Sequence, residues 1–103
     1  MSFTGDEDHT ISLDQAAAWT KNYRDKNPKE VQGHFFGRTA IKNILAQADC
    51  VGIRIYYALD DNGQKQLIVV GVTADENDLY KGVLAERSRP CPPICGTKNP
   101  LNS

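Results

Sequence analysis

The sequence predicts an α+β fold in which two N-terminal helices pack on a small antiparallel sheet centred on one β-hairpin. Three features carry this. A capped stretch of helical periodicity opens at Ser12, and a second periodic stretch opens at Arg38. Two apolar runs between Val51 and Ala74 then flank Asp60-Asp61-Asn62-Gly63. Asn-Gly readily takes the positive φ angles of a tight turn, so these runs read as a hairpin.

Residues 1–10 are polar and acidic and read as a flexible start. Ser12-Leu13-Asp14-Gln15 forms a capping box, with the Ser12 hydroxyl taking a free helix amide. Leu13, Ala16, Ala17, Trp19, Thr20 and Tyr23 then share one helix face, opposite Asp14, Lys21, Asn22, Asp25 and Lys26. This helix ends before Pro28. A connector follows, with two glycines around His34-Phe35-Phe36, whose rings anchor the loop. The second helix, about 38–48, sets Ala40, Ile41, Ile44, Leu45 and Ala48 inward, and Lys42, Asn43, Ala46 and Gln47 outward.

Along the first strand, Val51, Ile53, Ile55, Tyr57 and Leu59 point one way, and Gly52, Arg54, Tyr56 and Ala58 the other. A two-residue Asn62-Gly63 turn sets Ile53 opposite Val72, Ile55 opposite Val70 and Tyr57 opposite Ile68. A three-residue loop starting at Asp61 sets Ile55 opposite Val69 instead. In either register, Leu67 to Val72 make the second strand apolar on both faces. Two helices cover one face, so the other needs a lid or a partner. Leu79 to Arg87 fits a short helix capped by Asp78 or an edge strand, and Gly82 weakens the helix. The organisation expected is thus a flexible N-terminus at 1–10, one α+β domain at 11–87 and an extended tail at 88–103, which holds four prolines.

Composition narrows the function. A chain of 103 residues sits near the lower end of what one core supports, so a protomer with a leftover apolar face gains by pairing. The formal net charge is −1, with acids and bases spread along the chain, which argues against a nucleic-acid binder. No run is long and apolar enough to span a bilayer, and no secretory signal opens the sequence. The expected location is therefore cytoplasmic, where three cysteines, an odd number, would stay reduced.

Three motifs, His34-Phe35-Phe36-Gly37, Gly52-Ile53-Arg54-Ile55-Tyr56-Tyr57-Ala58 and Cys91-Pro92-Pro93-Ile94-Cys95, give the chain a further character. Through them residues 11–96 resemble a group of small, single-domain bacterial proteins of unassigned function. The resemblance implies a single α+β domain and carries over no substrate, cofactor or catalytic residue.

Four places can hold chemistry. Cys91 and Cys95 suit a redox pair, half of a metal site or a rigid strap that packs Ile94. In polyproline form their α-carbons would stand roughly 12 Å apart, beyond the ~7 Å limit of a disulfide, so closing the pair needs a sharp bend. Cys50 reads as a buried apolar thiol, or as a third ligand with Cys91, Cys95 and His34. His34 and Arg38 flank the start of the second helix, where a small carboxylate or phosphate could sit; otherwise His34 packs locally and Arg38 is solvated. Arg54, beside Tyr56, either anchors an anion or forms a salt bridge, across a dimer interface or to a carboxylate such as Glu86. Trp19 and Tyr23 read as core edge.

No nucleophile–base constellation stands out. The sequence points to a non-catalytic binding protein that forms a homodimer through its sheet, with no cofactor and no metal. The alternatives are a small-anion binding protein or minor enzyme using His34, Arg38, Arg54 and Tyr56, and thiol-redox or metal chemistry at Cys91 and Cys95.

Overall fold

The computed structural model describes residues 2–102. Seven elements follow in order: α1 (Leu13–Lys26), β1 (Gly33–Phe35), α2 (Arg38–Leu45), β2 (Cys50–Leu59), β3 (Lys65–Thr73), β4 (Leu84–Ala85) and β5 (Arg89–Cys91). Helices and small antiparallel sheets make this an α+β fold. The described chain divides into two compact units, one holding residues 2–7 and 36–88, the other residues 8–35 and 89–102.

In the first unit, β2, β3 and β4 form a three-stranded sheet with β3 in the centre. The hairpin uses the longer of the two loops. Asp60 N–H donates to the Gln64 carbonyl at 2.9 Å, and Gly63 N–H donates to the Asp60 carbonyl at 2.9 Å. Gly63, at φ +78°, supplies the left-handed residue that this three-residue loop requires. The Asp60 carboxylate closes the turn from inside, accepting from the Asn62 and Gln64 amides at 2.9 Å each and from Gln66 Nε2 at 3.1 Å. Those bonds hold its pKa below the ordinary value, the Gln64 amide contributing most, then Gln66.

The register that follows pairs Ile53 with Gly71, Ile55 with Val69 and Tyr57 with Leu67. The two-residue register is therefore corrected: a single added loop residue turns every β3 side chain to the opposite face. Leu67 and Val69 lie on the face of Ile55 and Tyr57, while Ile68 and Val70 lie with Arg54 and Tyr56.

Val69, Val70, Gly71 and Val72 are all buried, so β3 is covered on both faces through this stretch. Ile44 of α2 is fully buried as well. The α2 helix stops at Leu45, sooner than its periodicity suggests, and Asp49 turns the chain into β2 at φ +66°. Gln47, expected to face outward, points inward instead. Its Nε2 donates to the Ile44 carbonyl at 2.9 Å, and its Oε1 accepts from Val83 N–H at 2.8 Å. Between Leu79 and Arg87 the strand reading is the one adopted, with β4 pairing Ala85 to Val69 and Leu84 to Val70.

In the second unit, Ser12 caps α1 by accepting from the Gln15 amide at 3.1 Å. Asn27 ends the helix, its amide donating to the Tyr23 carbonyl at 2.9 Å. None of the α1 residues is buried, and Trp19 is 59% exposed, so the expected core edge at Trp19 and Tyr23 lies open. β1 pairs antiparallel with β5, Gly33 opposite Cys91 and His34 opposite Pro90. The C-terminal segment is not extended throughout: it contributes β5, and Arg24 Nη1 donates to the Leu101 carbonyl at 2.6 Å. No helix is long and apolar enough to cross a membrane among the described residues.

Candidate functional site

The most conspicuous surface of the first unit is β2 itself. It is an edge strand, and its side chains run Ile53 at 41%, Ile55 at 49%, Tyr57 at 93% and Leu59 at 71% exposed, all on one face. The reason is length. A helix of eight residues spans about 12 Å, whereas a strand of ten spans about 33 Å, so α2 covers only the Cys50 end. The turn-proximal half stays open.

The backbone of the same residues also faces outward. Asp60 N–H donates to the Gln64 carbonyl, which makes this a bonded pair of the ladder, and antiparallel pairs alternate between bonded and non-bonded. Ala58, Tyr56 and Arg54 are therefore the bonded positions on β2, while Ile53, Ile55, Tyr57 and Leu59 aim their N–H and C=O groups away from β3. The same alternation accounts for Gly71, whose carbonyl turns away from β2 to accept from Leu79 N–H at 2.8 Å. Among the described residues, no backbone hydrogen bond reaches those four β2 residues from outside the ladder.

Arg54 and Tyr56 occupy the opposite face, where both donate to the carboxylate of Asp78. A second guanidinium nitrogen donates to the Glu76 carbonyl at 3.4 Å. Tyr56 and Asp78 together hold the guanidinium pKa above its ordinary value, so Arg54 is a fixed charge. Asp78, not Glu86, is its partner. Glu76 at φ +70° and the bridge between Val72 and Asp78 fold the 75–78 turn back over this face. An acidic turn after β3 was the available signal.

The other sequence-selected residues lie elsewhere. Arg38 is exposed in the first turn of α2, where the N-cap Gly37 makes no side-chain hydrogen bond. His34 is half-buried in β1 and belongs to the second unit, whereas Arg38, Arg54 and Tyr56 belong to the first.

Cys91 and Cys95 are joined by a disulfide with their α-carbons 4.9 Å apart. This corrects the extended spacing expected from the prolines. Ile94 N–H donates to the Pro90 carbonyl at 2.9 Å and closes a turn across the motif, which an extended conformation lacks. In this bonded form neither sulfur offers a thiolate to a metal. Cys50 is a free, half-buried thiol whose Sγ lies 3.2 Å from the Gly52 carbonyl oxygen. Among the described residues, no group of three or more His, Cys, Asp or Glu is placed to hold a metal ion.

No family model, curated protein or solved structure matches this chain, so the functional reading rests on the geometry of β2 and its surroundings.

Proposed function

We propose that this protein is a non-catalytic interaction module that associates with a second copy of itself through the open side of β2. The observation that carries the reading is the run Ile53, Ile55, Tyr57 and Leu59, in which an exposed apolar face coincides with outward-directed backbone groups. Each feature alone is common; their coincidence on one strand is the arrangement that folded monomers avoid. These four side chains present an apolar patch on the order of a few hundred Å² per protomer, at the size where exposed apolar surface marks an interaction site.

The test is a surface substitution. Tyr57→Lys combined with Leu59→Lys places charge on the face without touching a buried residue. Light scattering after size exclusion should show wild type at twice the chain mass and the double variant at the chain mass, with unchanged circular dichroism. A double variant that still pairs would contradict the reading.

Thiol chemistry is the second reading, favoured by the Cys91–Cys95 disulfide and the exposure of Cys95. A standing disulfide suits an oxidising compartment better than a reducing one. Binding of a small anion is the weaker alternative, because Arg54 would first have to release Asp78.

A further inference from the structure

We infer that two chains pair β2 against β2, antiparallel, about a two-fold axis through Tyr56, so that two three-stranded sheets join into one of six strands. This rests on the self-association reading and specifies its geometry.

Only one register pairs all four outward-facing residues. With the axis at Tyr56, Ile53 lies opposite Leu59 of the second copy, and Ile55 lies opposite its Tyr57. All of these are bonded positions on the outer edge. Moving the axis to Tyr57 sets Ile53 against Asp61, which is in the turn. Moving it to Ile55 sets Leu59 against Val51, where the N-terminal segment already lies; a Cβ at Gly5 would stand 2.8 Å from the Val51 carbonyl oxygen.

Charge selects the same register. The axis at Tyr56 sets Arg54 opposite Ala58 and Asp60 opposite Gly52, so no like charges meet. An axis at Arg54 would oppose that guanidinium to its own copy. An axis at Tyr57 would oppose Arg54 to Asp60, yet both are already engaged, with Asp78 and with the turn amides. Cross-strand partners share a face, so the apolar side chains of both copies meet as Ile–Leu and Ile–Tyr pairs. From Gly52 to Leu59 the edge has no Pro or Lys, and its one charge is on the other face, tied to Asp78. The usual devices against edge pairing are missing.

Two variants of the full chain test this. In a Cys50→Ala background, Tyr56→Cys brings two thiols together at the axis, within the ~7 Å between α-carbons that a disulfide accepts. Oxidised glutathione takes the two electrons and leaves as two reduced glutathiones. Ala58→Cys, on the same face, keeps its thiols about 13 Å apart along the strand. Tyr56→Cys should run as a cross-linked pair on a non-reducing gel, and Ala58→Cys as a single chain. Separately, Ile55→Pro removes only an outward N–H, so it spares the ladder to β3 while blocking the edge. It should be monomeric at concentrations where wild type is dimeric. If Ile55→Pro loses its circular dichroism, the two cysteine variants decide alone. Wild-type pairing with a paired, folded Ile55→Pro, or with Tyr56→Cys no more cross-linked than Ala58→Cys, overturns the edge geometry and leaves self-association standing. A monomeric wild type overturns both.

Discussion

At Gly71 an added Cβ would stand 2.9 Å from both Cys50 Sγ and Gln47 Nε2, and 3.2 Å from Leu79 Cδ1. The strand therefore meets the turn after α2 at a distance that only a hydrogen side chain permits. Gly71→Ala should lower stability by about 1–3 kcal/mol through overpacking, measured by urea denaturation; wild-type stability would show that the neighbours can move aside. Gln47 is the side chain that closes this space, and its role was hard to read in advance. Its polar character placed it on the solvent face of a helix, but the helix ends at Leu45, which frees Gln47 to bond the Ile44 carbonyl and the Val83 amide. Asp60 was easier to read as a turn residue than as the anchor of three donors. Its folded carboxyl pKa lies below the unfolded value, so the unfolded chain binds the proton more tightly. The stabilisation is present above the unfolded pKa and disappears as pH falls through the folded one. Thermal melts from pH 7 downward should show an acid-dependent loss that Asp60→Asn reduces; an identical slope in the variant would contradict this role for Asp60.

Among the elements, the hairpin was legible and its register was not. Alternating apolar residues and Asn-Gly announce the two strands, but either loop length satisfies the same turn residues. What decides is the Asp60 carboxylate, whose bonds fit the three-residue loop. The consequence is large because faces alternate with every residue. Similarly, Arg54 within an apolar strand signalled a required counter-charge without showing which carboxylate the chain would fold back. Asp78 does so through the tight turn at Glu76. Asp78→Ala leaves Arg54 and Tyr56 without their common acceptor and should lower the urea midpoint, moderated by the partial exposure of the pair. An Arg54→Ala, Asp78→Ala double-mutant cycle in urea should show coupling, and strict additivity would show that the pair is only a surface contact.

For the whole molecule, composition indicated that a short chain would have apolar surface left over, and this holds in an unexpected place. The central strand β3 is buried on both faces from Val69 to Val72. In the sheet, the longest uncovered apolar run is that of the edge strand β2, whose residues strand alternation had set on one face for the helices to cover. An eight-residue α2 is too short to reach them. The cysteines show the same limit of local reasoning: proline stiffness argued for separation, whereas the turn closed by Ile94 and Pro90 brings Cys91 and Cys95 together. Denatured protein purified without reductant should titrate as one free thiol per chain, that of Cys50; three free thiols would contradict the disulfide. Sedimentation equilibrium on the wild-type chain tests self-association through β2 most directly. A mass that rises from one chain to two across the micromolar range is the result expected. A single-chain mass up to the highest soluble concentration would contradict it, because an exposed apolar edge that never finds its counterpart is not an interaction surface for its own kind.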